Sequence, residues 1–263
     1  MKVGIYSNPT KEKSAGITEK VISVLKESGI EFAIISENSP EKTDMLIVIG
    51  GDGTILKVVD YIAKYDVPVL TLNAGKLGFL AEFSDKEAEY AVKAAINGEL
   101  KTETAPLIEA NFSGKSYYAL NEVVIQRLVA SDSSEKTLKL NIAIKGKTVE
   151  NLKGDGVIIA TQKGSTAYSL SAGGTILSPG TDCFELSPIC SHSFNNRSIV
   201  YPTEYTCTVK ITNDCKSGII VDGIFVTETT EYSVVEIKKS SKKAIFYKNE
   251  KVDYYEKLFM KMK

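Results

Sequence analysis

The sequence is poor in the residues that metal centres and imidazole chemistry need. Its 263 residues include one histidine, His192, and four cysteines, none of which forms a C-x-x-C pair. A zinc site is therefore not expected, and we assign no residue as a metal ligand. A nucleophile paired with histidine could use only His192, for which a hydrogen-bonded structural role is the commoner alternative.

Excess charge and long apolar runs are also missing. The formal net charge is -1, so the sequence gives no electrostatic reason to expect a nucleic acid or an anionic membrane as partner. No apolar run approaches the roughly 20 residues that cross a bilayer, and the N terminus lacks the apolar core of a signal peptide. We therefore expect a cytoplasmic protein with reduced thiols.

Two familiar phosphate-binding motifs are absent, but a third kind of glycine loop is present. There is no G-x-x-x-x-G-K-[ST], and Gly51-x-Gly53 lacks the third glycine of the dinucleotide fingerprint because Leu56 stands there. An apolar run at 45–49 precedes Gly50-Gly51-Asp52-Gly53-Thr54, and apolar residues at helical spacing follow to Ile62. This pattern predicts a buried strand, a glycine loop and one helix, with loop N–H groups available to phosphate.

The acidic residue in that loop has two interpretations. A carboxylate beside phosphates can hold Mg²⁺ or take a proton from an attacking hydroxyl, which makes Asp52 a candidate catalytic residue. Aspartate is also a common cap of the helix that follows it. The loop alone does not decide between these roles.

Residues 1–100 alternate strands with helices, which predicts a Rossmann-like α/β domain with a parallel sheet. The glycine-rich stretch 73–80 follows the apolar run at 67–72. Because ligands bind outside the carboxyl ends of parallel strands, we expect Asn73 and the Gly50–Thr54 loop at one sheet edge.

Helical periodicity disappears near residue 100, and short segments rich in β-branched and aromatic residues follow. They predict an all-β, sandwich-like domain over 101–245, with a tail at 246–263 that docks back on the first domain. The predicted strands are 109–112, 117–127, 138–144, 156–160, 206–211, 218–226 and 232–238.

A second glycine-rich region spans 153–174 and includes Gly154-Asp155-Gly156 and Gly164-Ser165-Thr166. Its loop before a short helix could present N–H and hydroxyl donors to a ligand, although a well-capped helix after a turn is the ordinary alternative. Asn121-Glu122 lies inside an apolar segment. The pair either belongs to an internal hydrogen-bond network or faces a ligand. Asp222-Gly223 could be a simple turn.

Together these motifs resemble the NAD kinase family. The resemblance is carried by the GGDGT loop at 50–54, Asn73-x-Gly75-x-Leu77-Gly78-Phe79-Leu80, Asn121-Glu122, Gly154-Asp155-Gly156 and the long, specific motif at 164–174. It implies transfer of a phosphoryl group from ATP to the 2′-hydroxyl of the adenosine ribose of NAD, with a divalent metal such as Mg²⁺, by a homodimer or homotetramer. Lys163, Ser191 and Ile224 depart from the family pattern.

The resemblance also implies roles for individual residues. Asp52 corresponds to the general base. The implied binding residues are Gly51, Gly53, Thr54, Lys57, Asn73, Phe79, Asn121, Glu122, Lys136, Lys153, Asp155, Ser165, Thr166, Ala167, Tyr168, Ser169, Leu170, Ser171 and Asp222. The alternative hypotheses are a non-catalytic NAD(P) sensor, a lipid kinase with the same GGDGT loop, and an NAD-dependent oxidoreductase, which would need the missing fingerprint.

Overall fold

The computed structural model describes residues 1–7, 12–36, 40–75, 78–128, 137–192 and 197–262. The chain divides into two compact units. The first contains residues 1–105 and 242–263, and the second contains residues 106–241. The chain therefore enters the second unit once and returns to the first for its C-terminal residues.

Strands outnumber helices in the described ranges. The strands are β1 Lys2–Ser7, β2 Glu31–Ile34, β3 Met45–Gly50, β4 Pro68–Asn73, β5 Phe83–Ser84, β6 Thr102–Phe112, β7 Lys115–Ala119, β8 Glu122–Arg127, β9 Leu138–Ile144, β10 Lys147–Gly154, β11 Gly156–Ala160, β12 Cys183–Ile189, β13 Ile199–Pro202, β14 Cys207–Ile211, β15 Ser217–Val221, β16 Ile224–Thr229 and β17 Val234–Tyr247. The α-helices are α1 Glu12–Glu27, α2 Asp52–Leu56, α3 Val59–Tyr65, α4 Ala88–Ile96, α5 Tyr168–Ser171 and α6 Tyr254–Lys261. No helix in the described ranges is long and apolar enough to cross a bilayer.

The first unit is built on a parallel sheet with the strand order β2-β1-β3-β4-β17, and β5 pairs with β4. All six residues of β3 are buried, as expected for a strand covered on both faces. Helices α1 and α4 contribute apolar side chains to the core that this sheet forms. The predicted α/β fold of this part is confirmed.

A single helix was predicted after the glycine loop, but the structure has two, α2 and α3. The helical conformation is interrupted at Val58, where φ is -103° and ψ is 9°. Val58 and Val59 are both buried, so packing on the core fixes this break against the local helical periodicity.

The second unit is a sandwich of two antiparallel layers. One six-stranded sheet has the order β13-β12-β11-β8-β15-β16, and the opposite layer includes β10-β9-β14-β17. Their inward-facing residues form one apolar core, which includes Val123, Ile142 and Val209. The predicted β-rich, sandwich-like class is confirmed, because antiparallel layers bury alternate residues against each other.

Several predicted strand limits in this unit were wrong. The segments predicted as single strands at 117–127 and 218–226 are each two strands, separated at Leu120-Asn121 and at Asp222-Gly223. Strands β10, β12 and β13 were not predicted. Apolar composition indicated the strands, whereas their ends depend on contacts with residues distant in the sequence.

Gly156 tests the packing between β8 and β11. A Cβ atom there would lie 2.4 Å from the carbonyl oxygen of Ile125, which is backbone and has little room to move. We expect Gly156→Ala to lower the free energy of unfolding by about 1–3 kcal/mol, as overpacked cores do. Urea denaturation would measure the shift.

The matched control is Gly16→Ala in α1, where no neighbouring atom lies within 4 Å of the added Cβ. Alanine has the higher helix propensity, so this change should stabilise by roughly 0.5–1 kcal/mol. An unchanged urea midpoint for Gly156→Ala would contradict the close contact.

Candidate functional site

The carboxylate of Asp52 is held by the loop that follows β4. The N–H of Phe79 donates to Oδ2 at 2.8 Å, and the N–H of Leu80 donates to Oδ1 at 3.1 Å. The N-cap of α2 is Gly51, without a side-chain capping bond, so the interpretation of Asp52 as the helix cap is wrong. Two charge-assisted hydrogen bonds fix the orientation of this carboxylate instead.

Gly78 allows the close approach of this loop to Asp52. A Cβ atom at residue 78 would lie 1.9 Å from Oδ1 of Asp52, so the carboxylate occupies the place of a side chain. The backbone of residues 78–80 is consequently in direct contact with the Asp52 carboxylate.

The two loops leave one edge of the parallel sheet, which confirms their predicted proximity. Gly50 at the end of β3 is in register with Asn73 at the end of β4, and the N–H of Ala74 donates to the carbonyl of Gly50 at 3.1 Å. Oδ1 of Asn73 accepts the N–H of Gly75 at 2.9 Å and so shapes the second loop. This edge is where ligands bind in open parallel sheets.

The other predicted residues of the first unit surround Asp52 in different environments. No atom of the described ranges lies within 4 Å of a Cβ added at Gly51 or Gly53, whereas the side chain of Thr54 is buried over Gly50. Lys57 is exposed at the end of α2. The ring of Phe79 lies 6.4 Å from that of Tyr254 on α6.

In the second unit, Asp222 organises the backbone around Asn121. Its carboxylate accepts the N–H groups of Leu120, Asn121 and Glu122 at 2.7, 2.7 and 3.0 Å. Asp222 itself is buried and has a left-handed φ of 48° in the turn between β15 and β16. These three hydrogen bonds position the backbone of the Asn121-Glu122 pair.

The Asn121-Glu122 pair carries unused hydrogen-bonding capacity. Oδ1 of Asn121 and Oε2 of Glu122 are buried and have no hydrogen-bond partner among the described residues. Burial, followed by the charge of Asp222, raises the pKa of Glu122 to about 8, although the N–H of Tyr168 favours the ionised form. Buried polar atoms are usually paired, so these two atoms make Asn121 and Glu122 candidate contacts for a polar ligand.

Asp155 belongs to an ion pair that the sequence did not indicate. Nε of Arg127 donates to Oδ1 of Asp155 at 2.5 Å, and both side chains remain about one-third exposed. Lys153, two residues earlier, is exposed at the end of β10. The carboxylate of Asp155 retains acceptor capacity toward solvent, because a carboxylate has about four lone-pair sites.

The segment 165–171 contains inward and outward hydroxyls. Oγ of Ser165 donates to the carbonyl of Gln162, and Oγ of Ser169 donates to the fully buried Glu185, so the fold uses both hydroxyls. Thr166, Ala167 and Leu170 are half-buried, whereas Tyr168 and Ser171 are exposed. Glu185 had no sequence signal. Lys136 lies outside the described residues.

The donor set bears on the implied divalent metal. No group of three or more His, Cys, Asp or Glu side chains converges on one point in the described ranges. Mg²⁺ commonly uses one or two carboxylates together with substrate phosphates. The residues fit a metal held mainly by phosphate oxygens, with Asp52 as the carboxylate that the glycine loop offers.

Comparison with known proteins identifies the family. Residues 34–100 match the model of the ATP-NAD kinase N-terminal domain, and residues 120–249 match that of the ATP-NAD kinase C-terminal domain. The chain belongs to the NAD kinase family. Its members are kinases and therefore transferases. An NAD kinase of Caldicellulosiruptor saccharolyticus is 37% identical, with both chains fully covered.

Two solved structures of this family have the same fold. The structure of an NAD kinase from Archaeoglobus fulgidus in complex with ATP has a TM-score of 0.82 and 28% identity, covering 99% of this chain and 98% of the other. The yeast NADH kinase complexed with NADH has a TM-score of 0.90, 24% identity and coverages of 100% and 87%.

Glu122 predicts a dependence of stability on pH. Its pKa is about 8 in the folded protein, against an ordinary value of 4.5, so its stabilising effect is complete below pH 4.5 and is lost as the pH rises through 8. Relative to Glu122→Gln, the wild-type protein should lose up to about 1.4 kcal/mol of stability per pH unit within this window.

Urea midpoints at pH 5, 6.5 and 8.5 would measure the effect. The control is Glu19→Gln on the exposed face of α1, where the carboxylate meets water in both states. A constant difference between Glu122→Gln and wild type across these pH values would contradict the raised pKa.

Proposed function

We propose that this protein transfers the γ-phosphoryl group of ATP to the 2′-hydroxyl of the adenosine ribose of NAD, forming NADP. The observation that carries the proposal is the Asp52 carboxylate, fixed by two backbone N–H groups beside an open glycine loop. Family membership supports the reaction. The A. fulgidus complex supports ATP as the phosphate donor.

Asp52 is the general base of the proposed mechanism. Phosphoryl transfer demands positioning of the reactants, neutralisation of phosphate charge and acceptance of the proton from the attacking hydroxyl. Each oxygen of Asp52 accepts one N–H and keeps a further lone pair, so the carboxylate can accept the proton without leaving its place. The N–H groups of the glycine loop offset charge on the triphosphate.

The predicted dinucleotide ligands divide by what their side chains still offer. Asn121 and Glu122 supply buried, unused oxygens, and Asp155 supplies a partly exposed carboxylate. Ser165 and Asp222 support this set by accepting backbone N–H groups, and Ser169 does so through its hydrogen bond to the side chain of Glu185. The partly exposed ring of Tyr168 is available to stack on a base.

A divalent cation, Mg²⁺ in our proposal, supplies charge neutralisation at the phosphates when bound. The location that we propose is the cytoplasm, which suits four cysteines without a disulfide.

Asp52→Asn tests the proposed base. The variant keeps the shape of the side chain but cannot accept a proton, so turnover should fall by at least about 10²-fold. The assay incubates protein, ATP, Mg²⁺ and NAD, and measures NADP with an NADP-specific dehydrogenase. NAD binding, measured by calorimetry, should persist.

The control is Asp66→Asn, at the left-handed C-cap of α3, where asparagine is well tolerated. Full activity of the Asp52→Asn variant would exclude Asp52 as the general base. NAD binding by the wild-type protein without NADP formation would favour the sensor hypothesis or another phosphate donor, with polyphosphate as the next donor to test.

We also propose a homodimer or homotetramer, with β16 at the interface. This edge strand exposes about half of Ile224 and Phe225, and exposed apolar edges commonly pair with another chain. Light scattering should give two or four times the protomer mass, and Ile224→Lys should reduce it. A monomeric wild-type protein would refute the proposal, and Val149→Lys on β10 is the control at another exposed apolar position.

A further inference from the structure

The charged side chain of Lys257 is buried in the first unit, far along the sequence from Asp52. It lies on α6, beyond the residues that either family model matches, and it is 4% exposed. Its ammonium group lies 3.3 Å from the carbonyl oxygens of Phe79 and Ala81 and 3.5 Å from Oε1 of Glu82. A buried lysine requires such partners, because an unpaired ammonium in the interior is strongly unfavourable.

One peptide group connects Lys257 to the catalytic carboxylate. The carbonyl of Phe79 accepts from Nζ of Lys257, and the N–H of the same peptide, on Leu80, donates to Oδ1 of Asp52. The carbonyl end of this peptide, the negative end of its dipole, therefore faces the cation Lys257. The N–H end, which is positive, faces the anion Asp52. Such a chain polarises its hydrogen bonds cooperatively.

Further hydrogen bonds hold Leu80 and Glu82 of this loop. The carboxylate of Glu82 accepts from Lys248 at 3.4 Å and from the N–H of Asn249 at 3.3 Å, and its carbonyl accepts from the side chain of Asn249. Thr71 receives the N–H of Glu82 and donates to the carbonyl of Leu80. The loop that holds Asp52 is thus fixed by residues of β4 and of the C-terminal segment.

We propose that Lys257 is a positioning residue for the phosphoryl transfer, acting on Asp52 through the Phe79–Leu80 peptide and the ion pair with Glu82. This inference rests on the proposed function. Burial lowers the pKa of Lys257, while Glu82 and Asp52 oppose that effect, so the neighbouring carboxylates favour its charged form. In this proposal the ammonium group of Lys257 orients Asp52 and the loop without contacting the substrate itself.

Lys257→Met removes the charge and the donors but keeps an unbranched apolar stem. A displacement of about 1 Å at the base can cost on the order of 10²-fold, so we expect kcat to fall by roughly 10- to 100-fold. The KM for NAD should change less than kcat, because most of the predicted NAD-binding residues, among them Asn121, Glu122 and Asp155, belong to the second unit and lose no contact in this variant. Lys257→Gln, which keeps one donor, replaces Lys257→Met if that variant does not fold.

Two control variants separate this role from a purely structural one. Asp253→Ala removes the N-cap of α6, where the carboxylate accepts the N–H groups of Tyr255 and Glu256, and so weakens the helix without touching the loop. Lys101→Met breaks the exposed pair with Glu250, which joins the C-terminal segment of the first unit to its 1–105 part. Both should retain kcat at temperatures well below unfolding.

A double-mutant cycle gives the decisive readout. If Lys257 acts through Asp52, the Asp52→Asn, Lys257→Met double variant should turn over no more slowly than Asp52→Asn alone. Additive losses, or a kcat for Asp253→Ala as low as that for Lys257→Met, would overturn the inference. Failure of the wild-type protein to form NADP would overturn the proposed function and this inference with it, whereas an active wild type with a fully active Lys257→Met variant would overturn the inference alone.

Discussion

Two hydrogen bonds from backbone N–H groups to the Asp52 carboxylate join the loops that follow β3 and β4. Each bond to a charged acceptor contributes about 1.5–3 kcal/mol, enough to keep the carboxylate in one orientation. The strands are adjacent and parallel, so both loops leave the sheet at one edge. The Asp52 carboxylate is therefore placed by sheet register and loop backbone together, with Gly78 leaving the space that the carboxylate fills.

The second unit uses a similar interaction for a different purpose. Asp222 accepts three consecutive N–H groups and so turns the Leu120–Glu122 backbone. Within the described ranges, Oδ1 of Asn121 and Oε2 of Glu122 have no hydrogen-bond partner. The charge of Asp222, added to burial, keeps Glu122 largely protonated at neutral pH. A protonated carboxyl can donate one hydrogen bond as well as accept, so this pair offers both donor and acceptor groups to a polar ligand.

The sequence predicted those features that depend on neighbouring residues. The apolar run of β3, the glycine loop and the change to β-rich segments near residue 100 are local patterns, and they identified both fold classes. The break between β7 and β8 could not be predicted, because Asp222, about 100 residues away, bonds its backbone. Lys257 likewise gave no signal, since its partners at Phe79 and Glu82 precede it by more than 170 residues.

The glycines of the motifs at 50–54, 73–80 and 164–174 separate into two physical classes. Gly78 and Gly164 are required by the protein itself, because an added Cβ would meet Asp52 Oδ1 at 1.9 Å and the carbonyl oxygen of Asn121 at 2.1 Å. Gly51, Gly53 and Gly75 have no atom of the described residues near the same position. The first class brings the Asp52 carboxylate and the Asn121 backbone against the loops that support them, whereas the second class leaves the backbone of the 50–54 loop and of Gly75 accessible.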